Sequence, residues 1–248
     1  MHKKHAIILA FLLTLLLSNT VFLFSQSDKY EITSITVARV IDGDTLVTSE
    51  GETVRLANIN SPEKDSESSK VSKDYLSSFI NKSLYLDKIK LEKYGRTLGR
   101  LYTQDNLYVN LELINLGLAS KFLVDDSELK DFDKAEEKAV ENQLGIWKES
   151  KYKYCISIEI YPKEEILKIE NSCASVDLSG WIIKDESRKQ YKFNTIIKNR
   201  LSLHSSIGND NSTDIFWNEK TDIWNNDRDT LYLFDKEGNL AFHKSYGY

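Results

Sequence analysis

Five side chains of the types that cleave phosphate esters lie within or shortly after one stretch of this chain. Asp44, Arg55, Asn60 and Glu63 fall inside residues 39–63, and Arg96 follows. A hard cation takes carboxylate and amide oxygens as ligands, a guanidinium binds phosphate through a rigid fork, and a glutamate can position or deprotonate water. The set contains the groups that metal-assisted phosphodiester hydrolysis needs.

The elements that must position these groups are short strands joined by tight turns. Residues 35–40 and 45–48 are rich in β-branched side chains and flank the turn Asp42-Gly43-Asp44. Residues 53–59 predict the next strand, which Asn60-Ser61-Pro62 ends because proline cannot donate to a sheet ladder. If the strands fold back in this way, Asp44 and the turn at Asn60–Glu63 can lie side by side, which is the reason to expect a metal site there. Taken alone, Asp42 is only a turn-forming residue.

Strands precede helices in the rest of the first half of the chain. Helical spacing of apolar residues predicts helices over 66–82, 110–116 and 128–142, and strand patterns cover 84–91, 98–102 and 107–109. Strands followed by helices that pack on one side predict a small barrel rather than a sheet of βαβ units.

The second half of the chain has a different pattern of predicted secondary structure. After a charged linker at 148–153, seven short strands recur between residues 156 and 235, with Asn, Asp, Gly and Ser in the turns. This pattern predicts a β-sandwich. Cys155 begins one strand and Cys173 follows the next, so the two can be neighbours; a disulfide after export and two separate thiols both stay open.

Composition excludes several classes of protein. The 248 residues are 41% hydrophobic and 29% charged, which is typical of a globular chain and not of a disordered one. A net charge of -5 argues against a histone-like coating protein but permits an enzyme with a local basic cleft. Two cysteines exclude a disulfide scaffold and a Cys-rich zinc site.

The N-terminus predicts export. Lys3 and Lys4 precede a long apolar stretch within residues 6–24, and the chain turns polar at residues 25–28. The apolar span of about 19 residues is long enough for a membrane helix, and no small-x-small cleavage site follows it. The segment is therefore either a secretory signal peptide or an N-terminal membrane anchor.

Several motifs resemble, in order, those of the thermonuclease or staphylococcal-nuclease-like family. They are VIDGDTL (Val40–Leu46), RLANINSPE (Arg55–Glu63), KYGR (Lys93–Arg96), LINLGLA (Leu113–Ala119) and LGIW (Leu144–Trp147). The resemblance implies an OB-fold barrel of five strands with packed helices, and Ca²⁺-dependent hydrolysis of DNA and RNA to 3′-phosphate ends.

The resemblance also implies a role for each matching residue. Asp44, Asn60 and Ser61 would hold the metal, the last through its backbone carbonyl. Glu63 would be the general base, and Arg55 and Arg96 would clamp the phosphate. Asn60 stands where the best-known member has Asp, so we expect weaker metal binding, because an amide oxygen ligates Ca²⁺ without bringing charge.

Substrate-binding candidates lie beside the phosphate clamps. Lys93 and Tyr94 precede Arg96, and Lys88, Lys90 and Arg100 add positive charge nearby. The family's best-known member stacks the base on tyrosines after the position of Ala119, where this chain reads Ser120-Lys121-Phe122-Leu123. Phe122 is the candidate substitute.

The second half resembles the lamin-tail domain family. The motifs are ILKIEN (Ile166–Asn171), VDLSGW (Val176–Trp181), WNN (Trp224–Asn226) and LFDKEG (Leu233–Gly238). The resemblance implies an immunoglobulin-like β-sandwich, in which no set of side chains predicts catalysis. We expect a binding role, with nucleic acid, cell-surface material or protein as the partner.

Together these observations predict a mainly β, multidomain chain with three segments: a signal peptide or anchor at 1–27, a nuclease domain at 28–150 and a sandwich at 151–248. The predicted function is an exported Ca²⁺-dependent nuclease acting on DNA, RNA or both. The alternative is a surface protein with little or no catalytic activity that binds nucleic acid or another partner.

Overall fold

The computed structural model of the chain describes residues 32–62 and 67–248. The predicted signal peptide or membrane anchor at 1–27, with its apolar stretch at 6–24, lies outside the described residues. Among the described residues, no helix is both long enough and apolar enough to cross a membrane.

The first half of the described chain forms a closed barrel with helices. Its elements are β1 (Ile32–Asp42), β2 (Thr45–Thr48), β3 (Thr53–Leu56), β4 (Ile59–Asn60), α1 (Glu67–Ser77), β5 (Ser83–Leu91), β6 (Thr97–Tyr102), α2 (Val109–Asn115), β7 (Ser120–Lys121), α3 (Leu129–Glu141) and a 3₁₀ turn at Gly145–Trp147. Five strands close the barrel in the order β1-β2-β3-β6-β5. The predicted OB-fold barrel with packed helices is confirmed.

Tight turns set the register of the first three strands. In the β1–β2 pair Asp42 faces Thr45, and in the β2–β3 pair Thr45 faces Arg55. Gly43 lies in the first turn, where a Cβ atom would come within 2.5 Å of the Ser72 Cβ and 2.8 Å of the Ser61 Cβ. The absence of a side chain at Gly43 therefore allows the Ser61 segment to lie against this turn.

Two predicted strands are wrong in extent. The strand expected over 53–59 ends at Leu56, because Asn58 turns the chain with a positive φ of 67° and donates to the Glu128 carboxylate at 2.8 Å. Residues 59–60 then form β4, which pairs with β7 outside the barrel. The strand expected over 107–109 is replaced by a single bridge at Tyr108 and the start of α2.

The helices match their predicted positions within a few residues, except that α1 ends at Ser77 and not at residue 82. The buried Asn110 fastens α2 to the barrel. Its amide donates to the carbonyls of Ala57 at 2.9 Å and Gly99 at 3.2 Å, and its oxygen accepts from the Leu101 N–H at 3.0 Å. Phe132 and Ala135 of α3 join the barrel core.

The second half forms two four-stranded sheets. Its strands are β8 (Ile156–Tyr161), β9 (Ile166–Asn171), β10 (Val176–Asp177), β11 (Ile182–Lys184), β12 (Gln190–Lys192), β13 (Ile196–Ile197), β14 (Arg200–His204), β15 (Asp214–Phe216), β16 (Asp229–Phe234) and β17 (Leu240–Tyr246). The sheets have the orders β12-β11-β16-β17 and β15-β14-β9-β8. Apolar side chains from both sheets share one core that includes Trp181 and Trp224, so the predicted sandwich is confirmed.

A disulfide joins Cys155 to Cys173 across the start of β8 and the end of β9. Of the two alternatives left open by the sequence, the structure shows the paired one. The bridge ties the first two strands of the sandwich together at the end where the chain enters β8.

The barrel and the sandwich belong to one compact unit, Thr33–Tyr248. Trp147 is fully buried between them, with its ring 5.5 Å from that of Tyr232 and 6.5 Å from that of Phe234. Leu240 exchanges backbone hydrogen bonds with residues 148 and 150, at 2.7 and 2.9 Å. Residue 149 of the predicted charged linker therefore forms an isolated β-bridge with the edge strand β17. This bridge fixes the position of the sandwich relative to the barrel.

A buried group of charges reinforces this junction. Lys121 is 1% exposed, and its ammonium contacts Asp133 at 2.5 Å and Glu136 at 3.5 Å. Glu136, also buried, accepts from the Lys121 backbone N–H at 2.9 Å and from the Tyr232 hydroxyl at 3.2 Å. Lys121 also donates to the Ser245 hydroxyl of the sandwich at 3.2 Å. Every member is paired, as buried charges must be.

Candidate functional site

Asp44 is the buried carboxylate around which the candidate site is arranged. It is 2% exposed and lies in the β1–β2 turn, immediately before β2. Its Oδ1 accepts from the Thr45 hydroxyl at 3.0 Å, and its Oδ2 accepts from the Ser61 backbone N–H at 2.7 Å. The two turns that the sequence brings side by side are therefore joined directly.

Arg55 lies beside Asp44 and holds the turn that follows β3. Its Nε is 3.4 Å from the Asp44 Oδ1. Its Nη1 donates to the Leu56 carbonyl at 2.5 Å, and its Nη2 donates to the Ile59 carbonyl and the Asn60 Oδ1, both at 2.7 Å. The guanidinium, predicted as a phosphate clamp, thus also fixes the backbone that carries Asn60 and Ser61.

Asn60 is oriented from both sides. Its Oδ1 accepts from Arg55, while its Nδ2 donates to the Glu186 carbonyl of the sandwich at 3.2 Å. Since an amide has one donating and one accepting end, these two contacts fix which end faces Arg55. The Asn60 Oδ1, which the sequence predicts as a metal ligand, therefore faces the Arg55 guanidinium.

The electrostatics of the site favour an ionised Asp44. Burial by itself would raise the pKa of Asp44, but Arg55, the hydrogen bonds from Ser61 and the charge of Arg188 lower it on balance. Burial raises the pKa of Asp42, and the nearby charge of Asp44 raises it further. Asp42 accepts from the Asp44 N–H at 3.2 Å, which agrees with its predicted role in forming the turn.

Arg96 stands immediately before β6, the strand that pairs with β3, so it lies on the same side of the barrel as Arg55. Burial lowers the pKa of Arg55, Asp44 opposes this, and the positive charges of Arg188 and Arg96 lower it further. The side chain of Arg96 is 39% exposed and pairs with Glu92 at 2.8 Å. The Arg96 guanidinium can therefore bind a ligand at a small cost in free energy.

The predicted substrate-binding residues differ in their surroundings. Lys93 and Tyr94 lie in the β5–β6 turn, and Tyr94 is 82% exposed. Phe122 is half-buried, and its N–H donates to the Asn58 carbonyl at 2.9 Å, so it lies beside the turn that leads to Asn60. Glu63, the predicted general base, lies outside the described residues.

Arg100 does not have the surroundings of a phosphate ligand. Its guanidinium contacts the carboxylates of Asp87 at 3.3 Å, Asp125 at 3.0 Å and Glu128 at 2.7 Å. The expectation that it attracts phosphate is wrong, because three nearby carboxylates already neutralise its charge. Through Glu128 it instead supports Asn58 and the site turn.

The oxygen donors are of the kind that a hard cation takes. Asp44 offers a buried carboxylate, Asn60 an amide oxygen and Ser61 its backbone, which fits Ca²⁺ better than a soft metal. Within residues 32–62 and 67–248, no cluster of three or more His, Cys, Asp or Glu side chains is placed to hold a metal. The donor set therefore fits Ca²⁺ in type and brings little negative charge.

Two family models match the chain one after the other. Residues 53–149 match SNase, the Staphylococcal nuclease homologue, and residues 152–248 match LTD, the Lamin Tail Domain. This chain joins a staphylococcal nuclease homologue domain to a lamin tail domain. The order is the one that the sequence motifs predict. The nuclease match begins at residue 53, so it includes Arg55, Asn60, Ser61 and Arg96 but not Asp44.

Curated relatives of the nuclease domain carry endonuclease names. An "Uncharacterized endonuclease" of Escherichia coli O157:H7 is 33% identical over 87 residues, which are 34% of this chain and 57% of the relative. "Endonuclease YhcR" of Bacillus subtilis (strain 168) is 30% identical over 140 residues, 46% of this chain and 11% of the relative. An "Uncharacterized endonuclease" of Haemophilus influenzae is 32% identical over 116 residues, 45% of this chain and 64% of the relative. The matches thus span less than two thirds of each relative.

The lamin tail domain contributes residues to the site that the sequence did not predict. The turn between β11 and β12 places the Arg188 Nη2 3.1 Å from the Asp44 Oδ2. In the same turn, the Glu186 carbonyl accepts from Asn60, and its carboxylate accepts from the Leu123 N–H at 2.8 Å. Arg188 is 144 positions from Asp44 in the chain, and no local pattern connects positions so far apart.

Beside these contacts, a cleft lies between the two domains. It has a volume of about 340 Å³. Asn60 and Ser61 line it from the nuclease domain, while Lys184, Arg188 and Lys236 line it from the lamin tail domain. On the side of the lamin tail domain the lining thus combines three cations with one carboxylate, Asp235, and with apolar residues such as Ile182 and Phe234.

Proposed function

We propose that this chain is an exported nuclease that hydrolyses phosphodiester bonds of DNA, RNA or both, needs Ca²⁺, and leaves 3′-phosphate ends. The observation that carries the proposal is the buried Asp44 carboxylate held between Arg55 and the Ser61 turn of an OB-fold barrel. The endonuclease names of the relatives support the reaction class.

Each side chain of the site is proposed to have a role that follows from its position. Arg55 fixes the turn and puts positive charge beside Asp44, and Arg96 is the more exposed guanidinium, suited to bind a phosphate of the substrate. Asp44, with Asn60 and Ser61, would hold the cation. A bound Ca²⁺ would supply positive charge that stabilises the phosphoryl oxygens as negative charge develops on them. Glu63 is proposed as the general base on its place in the sequence motif alone.

Removal of one guanidinium tests the phosphate clamps. Arg96→Ala leaves the barrel core untouched because the side chain is 39% exposed. We expect kcat to fall by about 100-fold or more, the usual loss when one transition-state donor is removed. Arg39→Ala is the matched control, since Arg39 is an exposed arginine on β1. Equal activity of the Arg96 variant and the control would refute the role.

Cation dependence and product ends test the rest. The purified chain is incubated with DNA and with RNA, in Ca²⁺ and in chelator, and the product ends are extended by terminal transferase before and after phosphatase treatment. The proposal requires cleavage only with Ca²⁺ and extension only after phosphatase. Binding of nucleic acid without cleavage at any Ca²⁺ concentration would instead support the inactive binding protein.

Export is proposed on two grounds. Lys3, Lys4 and the apolar stretch at 6–24 have the composition of a signal or anchor, and the Cys155–Cys173 disulfide suits an oxidising compartment. N-terminal sequencing of the mature protein, after fractionation of cells, distinguishes a released chain from an anchored one. An intact chain in the cytoplasm would overturn the proposal.

A further inference from the structure

Asp44 has a guanidinium on each of its two carboxylate oxygens. Arg55 of the nuclease domain faces Oδ1 at 3.4 Å, and Arg188 of the lamin tail domain faces Oδ2 at 3.1 Å. Two positive charges thus lie against this one carboxylate, and Asp42 is the other acidic group beside it. The residue expected to attract a cation is therefore covered by a charge of the same sign as that cation.

The turn that carries Arg188 is fixed in place. Within the turn, Asp185 accepts from the Lys189 N–H at 2.7 Å, and Arg188 itself has a positive φ of 76°. The Glu186 carboxylate accepts from the Leu123 N–H of the nuclease domain, and its carbonyl accepts from Asn60. The backbone of the turn is thus fastened to the site, so a departure of Arg188 from Asp44 would be a movement of its side chain.

The two guanidinium groups differ in how easily they can leave Asp44. Arg55 is 7% exposed and donates to two backbone carbonyls and to Asn60. Arg188 has a side chain that is 42% exposed and makes its contact with Asp44 through Nη2 alone. A divalent cation at the Asp44 Oδ2 would lie against the guanidinium of Arg188, and like charges at such distances repel. Arg188 is the group that must move.

The cleft offers Arg188 a new partner when nucleic acid is present. Arg188 lines it together with Lys184 and Lys236, opposite Asn60 and Ser61, so that three cations of the lamin tail domain outnumber its one lining carboxylate, Asp235. A guanidinium binds a phosphate through two parallel N–H groups, which is a better match than a single contact with Asp44. A phosphate of the substrate in this cleft would therefore draw Arg188 away from the carboxylate.

We propose that Arg188 couples the two ligands of the nuclease site: it covers Asp44 in the free protein and transfers to a substrate phosphate, which opens Asp44 to the cation. The inference rests on the proposed nuclease function and adds the regulation of the same site. Since coupling between two ligands is reciprocal, the cation tightens nucleic-acid binding by the same factor by which nucleic acid tightens cation binding.

The test measures binding, so that it does not depend on cleavage. Ca²⁺ affinity is measured by calorimetry on the full chain, alone and with a single-stranded oligodeoxynucleotide made wholly of phosphorothioate linkages, whose intactness is checked afterwards. Without DNA, Arg188→Gln should bind Ca²⁺ about tenfold more tightly than the natural chain, the effect expected from loss of one partly exposed charged hydrogen bond. With DNA, the difference should shrink to about twofold or less, because phosphate has already drawn Arg188 away.

Two further variants control for the fold and for charge. Arg188→Gly removes the guanidinium and suits the positive φ at this position, so it should reproduce the glutamine variant. Arg228→Gln is the matched control, since Arg228 also reaches from the lamin tail domain to a carboxylate of the nuclease domain, Asp126, at 2.7 Å. Its Ca²⁺ affinity should equal that of the natural chain.

The outcomes separate this inference from the proposed function. Equal Ca²⁺ affinities in all four chains would overturn the coupling, even if the enzyme cleaves DNA. Tighter binding by both Arg188 variants with an unchanged response to DNA would overturn it as well. Tighter binding that fades with DNA would support it, even if the chain shows no cleavage at all.

Discussion

Replacement of Lys121 by methionine should destabilise the whole described unit, because Lys121 is a buried charge at the junction of the two domains. The ammonium is 1% exposed, contacts Asp133 and Glu136, and lies 3.9 Å from the centre of the Tyr248 ring. Loss of one partner of a buried ion pair costs about 3–5 kcal/mol. Glu136 keeps hydrogen bonds from the Lys121 backbone and Tyr232, so we expect about 3 kcal/mol, at the lower end.

The assay is urea unfolding of the natural chain, Lys121→Met, Glu136→Gln and the double variant. The double variant removes the charge that Lys121→Met leaves unpaired, so it should be less destabilised than the sum of the single variants, by about 1–3 kcal/mol. Lys153→Met is the control, because Lys153 pairs with Glu149 with a side chain that is 37% exposed and should cost about 0.5 kcal/mol or less. Additive effects, or a cost for Lys121→Met as small as the control, would refute the reasoning.

Three other predictions concern stability. Trp147→Ala should cost about 3–5 kcal/mol in urea unfolding, since it empties a fully buried site between the domains; a smaller loss would mean that the site collapses without cost. Cys155→Ser with Cys173→Ser opens a loop with a sequence separation of 18 and should cost about 3 kcal/mol, with no further effect of reductant on the variant. Burial and the charge of a neighbouring aspartate raise the pKa of Asp229 to about 6. Between about pH 4 and 6 the folded state therefore binds a proton that the unfolded state has released, so the free energy of unfolding falls as the pH rises through that window. A shift of about two pKa units corresponds to a fall of about 3 kcal/mol. Asp229→Asn should flatten that part of the stability-against-pH curve, and an unchanged slope would argue against this source.

The sequence predicts well what neighbouring residues decide. Asp42, Gly43 and Asp44 form a turn from their own chemistry, and the hairpins bring Asp44 to Ser61 because the strands are short. The apolar stripe of α3 predicts its core contacts, and alternating strands predict the sandwich. These features depend on contacts within a few tens of residues.

What the sequence misses depends on distant contacts. Asn58 breaks a predicted strand because it pairs with Glu128, and Arg100 is neutralised by carboxylates on β5 and on the segment before α3. Arg188 and Glu186 reach the site only because the lamin tail domain is docked on the barrel. None of these pairings leaves a local trace, since any exposed arginine or glutamate in a turn has the same pattern.

Trp147 has a consequence for how such chains arise and diverge. Its ring belongs to the nuclease domain in sequence but lies against Tyr232 and Phe234 of the lamin tail domain. A lamin tail domain exchanged for one from another protein would have to bring matching rings at both positions and a strand edge for residues 148–150. The two halves therefore constrain each other's substitutions, and we expect them to be inherited as a pair rather than shuffled as independent modules.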